Sequence, residues 1–462
     1  MLRDWQTRCI KHATETYNQQ TGYLMLACPG AGKTIAAAHI AKSLIDNNKV
    51  DYVVCFSPSR IVSQSIQQTF EYVLSRKFNG HLGALGMSRT YHSLSNTTEL
   101  INNLSNSRVL VIFDEIHHCA GDGDSPSNVW GMQLLVTIQN LATYTLSLTG
   151  TPWRTDTLPI PFARYTDPEG NILCDFSYDI VEAIKDKVCR MPQITAIDLQ
   201  HVVVKKNQKL KAYDNLQNLL AEGDVSYQNI IKHPEVIKHL LSQSVEQLDR
   251  LRRSSPNTGG LIVASSYLHA LQIQSILSGQ FNKESTLVSC RLDDSVELIE
   301  YFKNNQSEWI ISIAMISEGT DIPRLQVCCN LTDVTTELYF RQILGRVLRV
   351  TEAQSNFAYM FMLAEPKLVE YAKRLDEAVP GTYTYQKSAN LLDSIDDSTS
   401  KELSNKISSA DNNKTSTGLN FDSLNTYTHQ LGSKNPVDEL VLSSFKSQII
   451  SSYLINNLQE RF

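Results

Sequence analysis

Short, unbroken apolar runs recur along the chain with helical patterns between them. Leu24 to Ala27, Tyr52 to Phe56, Val109 to Phe113 and Leu146 to Leu148 fall in the first part, and Leu261 to Ala264, Trp309 to Ala314 and Val327 to Leu331 in the second. Continuous rather than alternating hydrophobicity marks strands buried on both faces, which a parallel sheet requires when helices cover it. Between the runs, the series Ile35, Ala38, Ile40, Ala41 and Leu44 and the stretch Leu240 to Arg253 read as helices. The pattern predicts an α/β chain. Because the strand and helix rhythm starts again in the second half, it predicts two doubly wound parallel-sheet domains of similar build. Residues 1–160 are assigned to the first domain and 161–386, with the connecting segment and its strand-like Phe176 to Ile180, to the second. Over 387–435 the composition turns to Ser, Asn, Asp and Thr with few aromatics, which reads as a flexible linker. After Pro436, the residues Leu440, Val441, Phe445, Ile449, Ile450, Tyr453, Leu454 and Leu458 have helical spacing and predict a C-terminal helix over 436–462. Its apolar stripe would dock on the chain itself or serve a protein partner or a second copy.

Composition narrows this picture without changing it. At 462 residues the chain is too long for one core, and 42% hydrophobic with 19% charged residues is ordinary for a globular protein. No run of about 18 apolar residues and no charged-then-apolar leader is present, so neither a membrane span nor secretion is expected. The nine cysteines, scattered without a CxxC pair, read as reduced thiols of a cytoplasmic protein. His117-His118-Cys119 has no second half-site at metal spacing, so no zinc centre is expected. A net charge of −6 argues against wholesale coating of nucleic acid and leaves room for a local basic groove. The most basic stretch, Lys185 to Lys211, carries Lys185, Lys187, Arg190, Lys205, Lys206, Lys209 and Lys211 and suits a solvated hairpin or contact with a phosphate backbone.

Candidate chemistry is densest after the first apolar run. Cys28-Pro29-Gly30-Ala31-Gly32-Lys33-Thr34 leaves a strand and enters a helix, as a phosphate-binding loop does. Glycines let successive backbone N–H groups curl around phosphates, Lys33 reaches the β and γ oxygens, and the Thr34 hydroxyl ligates Mg²⁺. The strict pattern has Gly where Ala27 stands, a small residue that still leaves the loop open. Downstream, Val109 to Phe113 delivers Asp114 and Glu115 at a strand's C-terminal end, where open α/β sheets bind ligands. Asp114 can supply a further oxygen to Mg²⁺, and Glu115 a base or orienting group for the attacking water. In the second half, Gln342, Arg346 and Arg349 follow one another at spacings of four and three, hence on one helix face.

Asp114-Glu115-Ile116-His117 resembles the DExH box of superfamily 2 helicases and translocases, and further motifs follow in that superfamily's order. Trp5-Gln6 resembles the N-terminal glutamine motif, which implies adenine recognition by Gln6. Ser57-Pro58-Ser59-Arg60 with Gln64, and Thr90-Tyr91-His92-Ser93-Leu94, resemble strand-binding motifs, implying nucleic-acid contacts by Ser59, Arg60, Gln64 and His92. Thr149-Gly150-Thr151-Pro152 is similar to the motif that couples hydrolysis to domain movement through Thr149 and Thr151. Ile316 to Pro323 and Phe340 to Arg349 look like the last two motifs. The resemblance implies that Arg346 and Arg349 reach the phosphates across the cleft, that Gln342 helps position water, that Asp321 holds the loop or the ribose, and that Thr320 meets nucleic acid. It further implies two RecA-like domains, ATP and Mg²⁺ as cofactors, and motion along a strand as the domains close and open.

Within the superfamily the start Leu2-Arg3-Asp4-Trp5-Gln6 and the form Glu318-Gly319-Thr320-Asp321-Ile322-Pro323 are most similar to DNA translocases of restriction and repair. His117 stands where DEAD-box RNA helicases have Asp, so DNA is favoured over RNA. Such compact motors resemble components of prokaryotic phage-defence or repair systems. An RNA helicase and a nucleotide-gated scaffold subunit are the competing readings.

Overall fold

The structure, a computed structural model, describes residues 2–93, 107–116, 142–150, 164–165, 172–199, 202–206, 209–222, 225–289, 294–313, 322–351, 355–388, 439–442 and 447–451. In the first domain α1 (Asp4–Thr16), β1 (Gly22–Ala27), α2 (Lys33–Asp46), β2 (Tyr52–Ser57), α3 (Arg60–Leu74), β3 (Gly86–Thr90), β4 (Val109–Asp114) and β5 (Tyr144–Thr149) follow one another. After the short pair β6 (Arg164–Tyr165) and β7 (Ile172–Leu173), β8 (Phe176–Tyr178) pairs with β1 and so belongs to the first sheet, not to the second domain to which the boundary at 160 assigns it. The strand order is β3-β2-β4-β5-β1-β8 with every pairing parallel. β4 is buried at each of its positions, as an unbroken apolar run requires. Helix α3 begins where the Ser59 hydroxyl accepts from the Val62 N–H and packs Val62, Ile66, Phe70, Val73 and Leu74 inward. Each such side chain contributes about 1.5–3 kcal/mol on burial. Trp5 of α1 stacks on Tyr178 of β8 with ring centroids 4.7 Å apart, which fixes α1 against the sheet's edge.

The second domain contains α4 (Ile180–Lys185), β9 (Met191–Asp198), β10 (Val202–Lys206), β11 (Lys209–Tyr213), α5 (Leu216–Ala221), α6 (Tyr227–Ile231), α7 (Pro234–Arg252) and β12 (Gly259–Ala264). It continues with α8 (Tyr267–Phe281), β13 (Ser285–Ser289), α9 (Ser295–Asn304), β14 (Trp309–Ile313), β15 (Leu325–Leu331), α10 (Glu337–Val347), β16 (Phe357–Leu363), α11 (Pro366–Ala378) and β17 (Tyr383–Ser388). The sheet runs β13-β14-β12-β15-β16-β9-β17-β19, with β19 formed by Ser447–Ser451, and is parallel throughout except between β17 and β19. Two parallel-sheet α/β domains are therefore present, as the apolar runs predict.

The chain's C-terminal part departs from expectation. Where helical spacing predicts a helix, Glu439–Leu442 forms β18 and Ser447–Ser451 forms β19. β18 lies antiparallel to β10, and β19 antiparallel to β17. Val441, Ile449 and Ile450 are β-branched and suit a strand, and the edges of β10 and β17, distant in sequence, offer backbone groups that a strand satisfies and a helix cannot. Docking on the same chain is thus the observed outcome for these strands, while 389–438 and 452–462 lie outside the described residues. The last part of the basic stretch forms the hairpin of β10 and β11, pairing Val202 with Tyr213 through Lys206 with Lys209, while Lys185 ends α4. Arg190 does not belong to that surface, since it is only 1% exposed.

Candidate functional site

At the end of β1 the chain turns through Gly30 and Gly32 at φ 83° and 93°. Residues with a Cβ resist both conformations, so the loop's shape is written in these glycines. Gly32 is also the N-cap of α2, which directs that helix's unpaired N–H groups and positive end into the loop. α1 braces it from outside. The Gln6 side chain, 2% exposed, donates from Nε2 to the Gly32 carbonyl at 3.1 Å and accepts at Oε1 from the Arg3 N–H at 2.9 Å. Arg3 in turn donates from Nη1 to the Ala31 carbonyl at 2.7 Å. Gln6 therefore holds the phosphate loop, and Arg3 joins it; the sequence marks Arg3 only through the Leu-Arg-x-Trp-Gln start.

Inside the loop Lys33 Nζ lies 2.8 Å from Glu115 Oε1. Glu115 Oε2 accepts from the Gly150 N–H at 3.0 Å, so β4's carboxylate bridges the phosphate-loop lysine and the end of β5. Glu115 takes φ 51°, an uncommon left-handed backbone for a residue with a side chain, found directly after the buried strand. Asp114 closes β4 at 7% exposure, its carbonyl accepting from the Tyr91 hydroxyl at 2.7 Å. Beneath it, burial first and the Asp114 charge second push the Cys55 thiol well above its ordinary pKa, so that thiol is an inert core group. A Cβ on Gly150 would sit 2.8 Å from Lys33 Nζ, which explains a glycine beside the lysine.

The second domain approaches from the other side. Thr336 caps α10, which buries Phe340, Ile343, Leu344, Gly345 and Val347 and turns Gln342 and Arg346 to the cleft. Gly345 lies so close to the phosphate loop that a Cβ there would be 2.4 Å from the Pro29 Cβ, and one on Gly30 would be 3.1 Å from the Arg349 Cγ. Cys189 forms a β-bridge with Arg349, while its Sγ lies 3.9 Å from the Cys28 Sγ. The two buried thiols share a hydrogen bond that raises the Cys28 pKa well above normal, with burial adding to it. A cavity of about 340 Å³ results. Lys33, Thr34, Asp114 and Glu115 line it from the first domain, and Gln342, Arg346 and Arg349 from the second.

The remaining sequence-predicted residues stand farther out. Ser59 is the α3 cap, and Arg60 and Gln64, both exposed, share a face of α3 at spacing four. His92 sits in a 3-10 turn, Tyr91–Ser93, following β3, at the C-terminal end of the parallel strands, the end at which the loop after β1 also lies. Thr149 is fully buried at the end of β5. Thr151, Thr320, Asp321 and His117 to Cys119 lie outside the described residues. Among the described residues no group of three His, Cys, Asp or Glu side chains could hold a metal, and no helix is long and apolar enough to cross a membrane.

The glycine-turned loop after β1, the carboxylates at the end of β4 and the Arg346 to Arg349 segment meet at one cavity between two RecA-like sheets, an arrangement similar to that of superfamily 2 helicases and translocases. Residues 1–154 match the family described as type III restriction enzyme, res subunit. A protein of Mycobacterium leprae (strain TN) is 30% identical over 390 residues, 81% of this chain and 64% of that protein. The chain thus spans just under two thirds of that relative's length. The DNA 3'-5' translocase XPB2 of Sulfurisphaera tokodaii is 23% identical over 385 residues, 77% of this chain and 80% of the relative. Two solved structures share the fold at a TM-score of 0.54. The ATP-dependent Type ISP restriction-modification enzyme LlaBIII bound to DNA is 14% identical, covering 83% of this chain and 30% of its own. S. cerevisiae Dbp5 bound to RNA and ADP BeF3 is 12% identical, covering 87% and 93%.

Proposed function

We propose that the chain is an ATP-driven motor, a helicase or translocase, that acts on DNA in preference to RNA. The observation that carries this reading is the shared cavity, in which Lys33 and Glu115 of one domain face Arg346 and Arg349 of the other. Phosphoryl transfer needs positioning and charge stabilisation more than covalent help, and this cavity offers both. Thr34 and Asp114 line it together and give the oxygen donors that a hard cation takes, so they would hold Mg²⁺, which neutralises phosphate charge when bound. Lys33 now pairs with Glu115. A triphosphate in the loop competes for that lysine and releases the carboxylate to orient water. Arg346 and Arg349 then meet the γ-phosphate only while the domains are together, which makes hydrolysis the signal for opening. Gln342 is suited to placing the water, Gln6 and Arg3 to the nucleotide's base side of the loop.

For the strand, Arg60 and Gln64 on α3 and the turn at His92 make a candidate track beside the cleft. The likeness of residues 1–154 to a restriction subunit and of most of the chain to a DNA translocase supports DNA, a defence or repair setting, and a cytoplasmic location. The competing RNA reading draws on likeness of fold, as to Dbp5, rather than on likeness of sequence. ATPase assays of the chain with single-stranded DNA, duplex DNA and RNA decide between them. Stimulation by DNA above RNA is expected; stimulation by RNA alone reverses the preference, and no hydrolysis with any of them ends the motor reading.

A further inference from the structure

Two arginines of the second domain are almost fully buried and bond mainly to carbonyl oxygens, and they do different work. Arg324, 5% exposed, donates to Phe302, Asn257 and Ser307 carbonyls and lies over the Phe302 ring, all within its own domain. Arg190, 1% exposed, reaches the two segments that frame the cleft. Its Nη1 donates to the Leu325 carbonyl at 2.8 Å and to the Val347 carbonyl at 3.0 Å. Its Nη2 donates to the Pro323 carbonyl and the Thr351 hydroxyl, each at 3.4 Å. Pro323 closes the Ile316 to Pro323 motif; Val347 ends α10; Thr351 lies just past Arg349.

The backbone of the same segment completes the clamp. The Arg190 N–H donates to the Leu348 carbonyl at 2.7 Å, Cys189 bridges to Arg349, and the Cys189 thiol lies 3.8 Å from the Pro29 carbonyl of the phosphate loop. One cation therefore satisfies the C-terminal carbonyls of the arginine helix, where its charge also suits the helix dipole, and ties them to the exit of the neighbouring motif.

We propose that Arg190 is a positioning residue for hydrolysis, fixing the end of α10 so that Arg346 and Arg349 are held at the phosphate loop. This inference rests on the ATPase reading above. A lysine at 190 keeps the charge but presents no planar fork, so it cannot span Pro323, Leu325 and Val347 together.

The test uses the full chain, with Arg190→Lys, Arg324→Lys and Arg349→Ala alone and Arg190→Lys combined with Arg349→Ala. It reads kcat and KM for ATP, binding of a fluorescent ATP analogue, and Tm. Arg190→Lys is expected to lower kcat by about 10- to 100-fold, the scale of a displaced catalytic group, while the analogue binds within about twofold of wild type. In the Arg349→Ala background it should remove little more. Arg324→Lys should lower Tm and leave kcat of the folded protein unchanged. A folded Arg190→Lys protein with wild-type kcat, or losses that multiply in the double variant, overturns the proposal. Should Arg190→Lys not fold, Thr351→Val decides: a lower kcat with unchanged analogue binding supports the clamp, and an unchanged kcat overturns it. A wild-type chain that hydrolyses no ATP overturns the ATPase reading and this one with it; an active wild type beside an unaffected Arg190→Lys overturns this one alone.

Discussion

In the first domain the cleft is made largely of backbone: two left-handed glycines, the start of α2, and the N–H of Gly150 aimed at Glu115. In the second it is made of side chains on one helix and just past its end, held from far away in sequence, since Arg190 and the Val347 carbonyl it binds are 157 residues apart. A backbone-built half is present whether or not the domains meet. The side-chain half exists only where α10 lies against the loop, with Gly345 leaving room for Pro29. Binding of nucleotide is therefore expected to belong to the first half and turnover to both, and each substitution below separates the two.

The largest effect falls on Lys33→Ala. It removes the only positive side chain of the first domain's loop segment Cys28 to Thr34, so both ATP binding and hydrolysis should drop to background in a binding assay and a phosphate-release assay. Retained ATP affinity in that variant would move the binding determinants out of the loop. Arg349→Ala should behave oppositely, with kcat down by about 10³- to 10⁵-fold, the worth of an arginine at the transferring phosphate, and ATP affinity near wild type. Equal loss of affinity and kcat would place Arg349 in ground-state binding. Glu115→Gln is expected to lose about 10²- to 10⁴-fold in kcat. Because Glu115 competes for Lys33 at 2.8 Å, the variant should hold ATP at least as tightly as wild type, and weaker binding would contradict the exchange of partners.

The same contrast explains what the sequence made legible. The loop after β1, β4 with Asp114 and Glu115 at its end, and Gln342 with Arg346 on one helix face could be read because each is a local pattern: a turn, an apolar run, a helical spacing; Arg349, expected on that same face, instead lies past the end of α10, bridged to Cys189. Arg190 was hidden in a basic stretch whose composition suggests solvent, although it is the stretch's buried member, and nothing in its neighbours announces acceptors drawn from Pro323 to Thr351. β18 and β19 are hidden from the local sequence for a related reason. Ile449 and Ile450 fit a helical stripe as well as a strand, and the choice is made by the free edge of β17, which no local window contains. Gln6 was legible as a site residue, while its bonds to Gly32 and Arg3 were not.

Gly345→Ala sharpens the comparison at its narrowest point and carries the smallest expected effect. Alanine is the better helix former by roughly 0.5–1 kcal/mol, so on local grounds α10 should gain stability. The added Cβ, however, would lie 2.4 Å from the Pro29 Cβ, closer than such atoms approach, so helix or loop must move apart. The expected result is a Tm at or above wild type together with a kcat lowered by about tenfold through displaced arginines, and ATP affinity that changes little. Combining it with Pro29→Gly removes the opposing Cβ and should return part of the lost kcat relative to Pro29→Gly alone. If Gly345→Ala instead left kcat unchanged, α10 would not need to touch the phosphate loop during turnover, and the second half of the cleft would have to be assembled from some other contact.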